Sequence, residues 1–426
     1  MTRAEFPLFF SDRDLITVLE QHADRILSAM SEWGIGRIGE HKTVHFCGLI
    51  YHPEEGPVIF LPREAKTGDP VIDLQTASLS MKALARFGAE TSLRDFEDDG
   101  DTGNPGMLSV IKRLSDDFRD HGLYAERIRR QTRNSGKPDW RNTIKREMAM
   151  PDHKGHPVFT DIRTNRAIKS SDTLLARIQA AVLREIHLAH GWWLRGTYGR
   201  TQELRLCPNP PFPRTSWTSK LDTLLPSLYS SRSIFLAKYL RFYLRETRKS
   251  SNGTFVFGVS GFHSVWETML RETIVRSPYD TRRNWNSILP KPFYILKGSS
   301  KHDSRSRGMQ TDIILENETD LTIVDAKYYA AKDADTAPGW PDIAKQMFYE
   351  QALLELVASM ETPQSQVTNI FAFPSQTNDG PLASVEIRHT DGSPVSTTFK
   401  PIECVYVSMH EALIHYAHNT QGIKLL

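Results

Sequence analysis

The stretch QTDIILENETDLTIVDAKY, residues 310–328, contains the pattern that decides how the C-terminal half of the chain folds. Two apolar runs, 311–316 and 321–328, flank a polar turn at 317–320, and this alternation predicts a β-hairpin. Antiparallel pairing places Asp312, at the start of the first strand, beside the end of the second. Asp325 and Lys327 are two residues apart, so both side chains leave the same face of the sheet. The sequence therefore predicts that two acids and one lysine converge.

Two carboxylates and a lysine at one end of a hairpin suit the hydrolysis of a phosphodiester bond. Carboxylate oxygens are ligands that Mg²⁺ prefers, and the ion keeps open positions for water and a phosphate oxygen. Lys327 would orient the attacking water and offset charge in the transition state. Charged residues in apolar strands are costly to bury without a compensating partner. We therefore predict that Asp312 and Asp325 bind metal and that Lys327 is catalytic; the alternative is a surface ion pair.

The helices predicted on either side of the hairpin carry further candidate residues. Glu267 lies among apolar residues of the helix FHSVWETMLRETI, residues 262–274, and would reach the metal if it faces inward. An outward-facing glutamate would be an ordinary solvated residue. Gln346 and Tyr349, three residues apart in the predicted helix 341–359, share one helix face. We predict that this face contacts the scissile strand or Lys327.

Basic residues in two other places are candidates for contact with a DNA backbone. One group surrounds Trp140 in the middle of the chain, and the other lies in the polar loop before Asp312. Local basic stripes can bind a polyanion even when the total charge is near neutral. The alternative is that they are solvated faces. The predicted DNA-binding residues are Lys137, Arg141, Lys145, Arg146, Arg305 and Arg307.

The order of predicted elements divides the chain into three regions. Residues 1–106 form an N-terminal α/β module for DNA or partner docking, with a helix at 11–30 and strands at 43–51 and 58–61. Residues 107–250 form a basic, mostly helical middle region. Residues 251–426 alternate helices and strands, a pattern typical of an α/β core with a central mixed sheet flanked by helices. We predict that this last region holds the catalytic core.

The bulk composition excludes several classes of protein. The 426 residues are 39% hydrophobic and 24% charged with a net charge of +2, which is typical of a folded globular protein. No apolar run approaches the roughly 18 residues that a membrane span needs. The start, MTRAEFPLFFSDRD, meets charge too early for a secretory signal. Three scattered cysteines favour a reducing cytoplasm over a disulfide scaffold.

Four segments resemble the PD-(D/E)xK nuclease superfamily, and more narrowly the McrC-like subunits of modification-dependent and LlaJI-type restriction systems. The resemblance is specific across roughly 255–375 and fainter in HFCGLIY (45–51), VIFLPRE (58–64) and GKPDWRNTI (136–144). The four segments are VWETML (265–270), TDIIL (311–315), IVDAKYY (323–329) and DIAKQMFYEQAL (342–353).

This resemblance implies a restriction-endonuclease-like core in a DNA endonuclease of a phage-defence system. It implies that Asp312 and Asp325 bind Mg²⁺, with Mn²⁺ as an alternative ion, that Lys327 is the catalytic lysine, and that Glu267 is the helix-borne acid. Gln346 and Tyr349 resemble a helical Gln/Tyr motif whose usual spacing is four rather than three.

The implied partners are double-stranded DNA and an McrB-like AAA+ GTPase. The sequence contains no G-x-x-x-x-G-K-[ST] loop, so such a GTPase would be a separate chain. Two alternatives remain open: a stand-alone restriction endonuclease, and a non-catalytic DNA-binding or assembly protein with a degenerate nuclease fold.

Overall fold

The computed structural model divides the chain into two compact units, residues 1–109 with 250–426, and residues 110–249. The roles predicted for the three sequence regions stay predictions. The residues that the structure describes are 7–15, 17–18, 30, 37–38, 43–52, 56–95, 105–170, 172–194, 201–248, 255–295, 297, 302–304, 308–360, 366–393, 395 and 399–425.

Mixed α and β structure runs through both units. The described strands are β1 Leu8–Ser11, β2 Arg37–Ile38, β3 Val44–His45, β4 Cys47–His52, β5 Gly56–Leu61, β6 Glu126–Arg133, β7 Lys137–Pro138, β8 Met150–Pro151, β9 Pro157–Val158, β10 Arg163–Ser170, β11 Phe255–Val259, β12 Phe293–Ile295, β13 His302–Ser304, β14 Ile313–Glu316, β15 Asp320–Ala326, β16 Gln366–Ser375, β17 Ser384–Val385 and β18 Ile402–Ser408. The described α-helices are α1 Pro70–Asp95, α2 Pro105–His121, α3 Trp140–Arg146, α4 Leu174–His190, α5 Thr201–Leu206, α6 Trp217–Leu224, α7 Ser231–Arg248, α8 Phe262–Thr273, α9 Trp340–Ala358 and α10 Met409–His418.

A four-stranded sheet in the order β1-β5-β4-β11 joins the two chain segments, 1–109 and 250–426, that make up the first unit. Strand β1 runs parallel to β5, and β11 runs antiparallel to β4 although about 200 residues separate them. One face buries aromatic side chains, among them Phe10, Phe46 and Phe60. The prediction that a helix starts at Ser11 is wrong, because Ser11 ends β1 and residues 12–13 form a turn. Most of the predicted helix 11–30 lies outside the described residues.

A five-stranded mixed sheet in the order β14-β15-β16-β18-β17 holds the predicted hairpin at one edge. Strands β15, β16 and β18 are parallel, while β14 and β17 pair antiparallel at the two edges. Helix α9 packs on β15 and β16, and α8 packs on β15. Leu321 and Ile323 are two residues apart in β15, so they lie on the same face of the sheet, where they pack in one core cluster with Tyr349 and Leu353 of α9. This packing fixes the position of the hairpin end where the acids lie.

The second unit is mostly helical but contains strands that the sequence analysis did not predict. Strands β6 and β10 pair antiparallel over eight residues, and β7 pairs with the other edge of β10. Helices α4 and α7 pack on each other, as do α6 and α7. The β strands escaped prediction because β6 is rich in arginine, which hides the apolar alternation that signals a strand.

No helix within the described ranges is both long enough and apolar enough to cross a membrane.

Gly258 offers a test of the sheet that joins the two ends of the first unit. It lies opposite Gly48 in the register of β11 and β4, and a Cβ atom there would collide with the backbone carbonyl oxygen of Cys47 and would lie 2.6 Å from Cζ of the buried Phe46. We expect Gly258→Ala to lower the free energy of unfolding by about 1–3 kcal/mol or more, because the added methyl group must displace the backbone of β4 as well as the Phe46 ring. Urea unfolding measures this change.

The matched control is Gly339→Ala, where the nearest atom, Pro341 Cδ, is 3.8 Å from the added Cβ. Its unfolding midpoint should fall less than that of Gly258→Ala, because the only expected cost is the preference for glycine over alanine at the N-cap of α9. Equal stability of the two variants would contradict the close pairing of β11 with β4.

Candidate active site

The hairpin β14–β15 brings the acids predicted from the sequence to one place. Ile313 pairs with Val324, so Asp312 lies beside the end of β15. The carboxylate Oδ2 of Asp312 accepts a hydrogen bond of 2.9 Å from the backbone N–H of Ala326. Asp325 precedes Ala326 and Lys327 follows it, so the three side chains converge as the register predicts.

Lys327 is held between two carboxylates. Its Nζ lies 2.9 Å from Oδ2 of Asp325 and donates to Oδ1 of Asp342 at 2.6 Å. The side chain is only 13% exposed, and the two acids raise the pKa of its ammonium group above the usual range despite burial. Lys327 is therefore a fixed positive charge at any physiological pH.

A cavity of about 300 Å³ opens at this hairpin end. All four residues predicted as catalytic line it. The cavity walls also include cationic side chains and two tyrosines that the sequence analysis did not assign to the site. The lining residues are Arg13, His263, Glu267, Asp312, Asp325, Ala326, Lys327, Tyr328, Tyr329 and Lys345.

Burial and mutual repulsion disfavour full ionisation of the acids in this cavity. Burial raises the pKa of Asp312 to about 7, and the nearby charge of Asp325 acts in the same direction. Burial also raises the pKa of Glu267, while His263 and Arg271 oppose the shift. Oδ2 of Asp325 is buried and, among the described residues, accepts no hydrogen bond of good geometry although Lys327 is close. Crowded carboxylates of this kind are stabilised by a proton or by a cation.

The donor set fits a hard divalent cation such as Mg²⁺. Asp312 and Asp325 supply carboxylate oxygens, and Glu267 on α8 faces the same cavity. In the described part of the chain, no three His, Cys, Asp or Glu side chains already form a complete ligand set. Mg²⁺ itself needs only one or two protein carboxylates, because it keeps several of its waters.

Gln346 and Tyr349 lie on the buried face of α9 and do not line the cavity. The Tyr349 hydroxyl donates a hydrogen bond of 2.7 Å to the backbone carbonyl of Gln310, two residues before Asp312. Oε1 of Gln346 is buried and has no hydrogen-bond partner among the described residues. From the same helix it is Lys345 that reaches the cavity, where its Nζ lies 5.4 Å from the centre of the Tyr349 ring. The active-site roles of Gln346 and Tyr349 stay predictions.

The predicted DNA-binding residues outside the core lie in the second unit or outside the described residues. Lys137 is in β7 and Arg141, Lys145 and Arg146 are in the short helix α3, all of them exposed. Asp139 begins α3 by accepting a hydrogen bond from the Asn142 N–H. Arg305 and Arg307 lie outside the described residues. Contact of these six residues with DNA stays a prediction.

A second, larger groove of about 1240 Å³ shares Glu267 and Asp312 with the first cavity. Its walls carry a group of arginines that the sequence analysis did not single out, because they are scattered between α8 and β12. Nε of Arg271 donates a hydrogen bond of 3.2 Å to the backbone carbonyl of Asp312. The arginines are Arg271, Arg276, Arg282 and Arg283.

Asp342 is another residue near the site that sequence reasoning missed. An acid in the first turn of a helix is common because it interacts with the free N–H groups there, so the residue gave no distinctive signal. In the structure its carboxylate accepts from Lys327 and lies 3.3 Å from the hydroxyl of Tyr329. Asp342 therefore fixes the lysine together with Asp325.

Comparison with known proteins finds restriction enzymes. The family model for LlaJI restriction endonuclease matches residues 46–402. The Bacillus subtilis (strain 168) protein called type II restriction enzyme BsuMI component YdjA is 25% identical over 202 residues, which cover 44% of this chain and 41% of the relative. The aligned region thus spans about two fifths of that relative's length.

A solved structure described as the half-complex from a tetradecameric assembly of Thermococcus gammatolerans McrB AAA+ hexamers with bound McrC also aligns. The alignment covers 97% of this chain and 99% of that chain, with 13% sequence identity and a TM-score of 0.39.

Proposed function

Because the chain belongs to the LlaJI restriction endonuclease family, we propose that it is a Mg²⁺-dependent endonuclease subunit that hydrolyses DNA in a phage-defence system. The observation that carries this proposal is the convergence of Asp312, Asp325 and Lys327 on one cavity. The family match, residues 46–402, contains all three as well as Glu267.

Each charged group in the cavity has a distinct role in this proposal. Asp312 and Asp325 would hold the cation, and Glu267 would add a further carboxylate beside them. Mg²⁺, when bound, supplies a Lewis acid that polarises a phosphate oxygen. The ammonium group of Lys327, fixed by Asp325 and Asp342, orients the attacking water and offsets negative charge that develops on the phosphate.

The arginine-lined groove beside the cavity supports double-stranded DNA as the substrate. It shares Glu267 and Asp312 with the active site, so a duplex lying along it would place a phosphate near the cation. Arginine is well suited to phosphate because its planar fork donates two hydrogen bonds at once. The groove therefore suits a substrate that carries phosphate groups.

The mixed five-stranded sheet with α8 and α9 packed on it is consistent with a restriction-endonuclease-like core, which we propose for this unit. For the partner, we propose an AAA+ GTPase of the kind that the McrC-like motifs imply. The name of the Bacillus subtilis relative describes it as a component of a restriction enzyme, and this supports a role within a larger assembly.

The decisive experiment incubates the purified chain with supercoiled plasmid in Mg²⁺, Mn²⁺, Ca²⁺ or EDTA, with and without an AAA+ GTPase encoded beside its gene. We expect nicking or linearisation in Mg²⁺ and Mn²⁺ and none in EDTA. Cleavage without the GTPase would identify a stand-alone endonuclease. Calorimetry should show Mg²⁺ binding that Asp325→Asn removes. A chain that binds no Mg²⁺ and cuts under none of these conditions would be the non-catalytic assembly protein instead.

Asp342→Asn tests the fixing of Lys327. The amide keeps the shape of the side chain but removes the charge that holds Nζ at 2.6 Å. Partners that orient active-site groups typically contribute ten- to a hundredfold, so we expect the cleavage rate to fall by about tenfold. Mg²⁺ affinity should change little, since Asp312 and Asp325 remain.

The control is Asp335→Asn, an exposed aspartate seven residues earlier in the chain. It should cut at the unmodified rate. If Asp342→Asn also cuts at that rate, the contact with Lys327 has no role in positioning.

A further inference from the structure

Arg13 comes from the N-terminal end of the chain, yet it lines the same cavity as Glu267, Asp312 and Asp325. It follows β1 directly, and its backbone N–H donates to the carbonyl of Val44 at 2.7 Å. The preceding residue, Asp12, donates its N–H to the carbonyl of Leu61 at 2.8 Å. The turn that carries Arg13 is therefore anchored on both neighbouring strands.

The backbone of Arg13 is in the left-handed region, with φ at 78°. For a residue other than glycine this conformation costs on the order of 1 kcal/mol or more, and it persists where the surrounding structure holds it. Such positions occur preferentially at active sites and ligand contacts. Here the conformation directs the side chain toward the cavity instead of into solvent.

His45 fixes the guanidinium group from outside the cavity. Nη1 of Arg13 contacts both Nδ1 and Nε2 of the His45 ring, and the hydroxyl of Thr43 is 3.2 Å from Nε2 of the same ring. Nε of Arg13 is buried and, among the described residues, has no hydrogen-bond partner. Because a guanidinium group carries five N–H donors, the contact of Nη1 with His45 and the burial of Nε do not exhaust them.

A simpler role for Arg13 would be to neutralise the buried Asp12. The closest approach, from Nε of Arg13 to Oδ1 of Asp12, is 3.8 Å, which is too long for a hydrogen bond. Burial raises the pKa of Asp12, and the charge of Arg13 is the strongest influence that lowers it, ahead of the hydrogen bonds with the Tyr328 hydroxyl and the backbone of Phe46. Arg13 therefore favours the ionised form of Asp12 through its charge but makes no hydrogen bond to it, so its N–H groups are left for other partners.

We propose that Arg13 binds a phosphate of the DNA backbone at the cleavage site. The inference rests on the nuclease function proposed above and adds a substrate contact from outside the C-terminal region. The ammonium group of Lys327 is already paired with Asp325 and Asp342. Arg13 lines the same cavity and keeps N–H groups that can donate to a substrate. A guanidinium matches a phosphate because it can donate two parallel hydrogen bonds.

The experiment measures affinity of the full chain for double-stranded DNA in Ca²⁺, by fluorescence anisotropy at several salt concentrations. Arg13→Gln should weaken binding by about tenfold and reduce the slope of log affinity against log salt by about 0.9, the value for one lost phosphate contact. The control is Arg388→Gln, an exposed arginine of the same unit that is paired with Glu386. Its affinity and slope should stay unchanged.

A double variant separates substrate binding from neutralisation of Asp12. If Arg13 binds phosphate, Asp12→Asn with Arg13→Gln keeps the loss of DNA affinity and of salt slope. If Arg13 only balances Asp12, Arg13→Gln lowers the melting temperature, the double variant restores it, and the salt slope stays at the unmodified value. That second pattern would overturn the proposal.

Arg13→Lys provides a variant that keeps the charge should Arg13→Gln fail to fold. It should keep the salt slope but cut more slowly in Mg²⁺, because an ammonium group cannot make the paired hydrogen bonds. If Arg13→Lys binds and cuts DNA as well as the unmodified chain does, the paired hydrogen bonds to phosphate are refuted, while the nuclease function itself stands. Failure of the unmodified chain to bind or cut DNA would instead remove the nuclease function itself.

Discussion

Lys327→Ala is expected to lower the rate of Mg²⁺-dependent DNA cleavage by about 10²-fold or more, the usual loss when an electrostatic group acting in the transition state is removed. The ammonium group is 13% exposed and lies 2.9 Å from Asp325, where it is fixed beside the carboxylates that would hold the cation. No other described lysine is held between Asp325 and Asp342. Single-turnover cleavage of a labelled duplex measures the change.

Fold and DNA binding should survive in this variant, because one phosphate contact at most is lost. The control, Lys332→Ala, removes a lysine five residues later whose side chain is 70% exposed and lies 3.8 Å from Glu64. Exposed pairs of this kind contribute little, so cleavage should be unchanged. A Lys327→Ala chain that cuts as fast as Lys332→Ala would remove Lys327 from the mechanism.

The hairpin and its acids could be predicted from the sequence because the information is local. A polar turn between two alternating runs fixes the register, and the register alone places Asp312 beside Asp325. The sequence leaves the orientation of Glu267 open, because the apolar residues of its helix indicate which helix face is buried but not whether Glu267 points to the metal or to solvent. The structure turns it into the cavity.

Arg13 and Asp342 could not be found in this way because their positions depend on contacts between distant segments. Arg13 approaches the site only because β1 pairs with β5 and β11 pairs with β4. The sequence of residues 11–30 predicts a helix that begins at Ser11 and gives no sign of this pairing. The shared face of Gln346 and Tyr349 was predicted correctly, but packing against β15 turned it into the core instead of the cavity. The spacing of residues in the sequence predicts which side chains share a helix face, but only tertiary packing determines what that face contacts.

Asp312→Asn is expected to stabilise the protein in the absence of divalent cations while removing its function. Burial and the charge of Asp325 raise the pKa of Asp312 to about 7 in the folded state, against about 3.9 in an unfolded chain. An acid whose folded pKa is raised favours folding at low pH, and this stability is lost as pH rises from about 4 to about 7. Asparagine carries no charge at any pH, and its amide oxygen can still accept from the Ala326 N–H.

Melting temperatures of the two chains in EDTA should therefore be similar near pH 4 and diverge as pH rises, with the variant higher by a few degrees at pH 8. Each pKa unit corresponds to about 1.4 kcal/mol, so the gain is measurable even if relaxation reduces it. Adding Mg²⁺ at pH 8 should raise the melting temperature of the unmodified chain and leave that of the variant unchanged, because a cation stabilises only the form that binds it. Asp335→Asn, an exposed control, should behave like the unmodified chain, with no gain at pH 8 in EDTA and the same rise in melting temperature when Mg²⁺ is added. A variant less stable than the unmodified chain at pH 8 in EDTA would mean that the carboxylates do not repel each other, and the argument for a cation between them would then lose its physical basis.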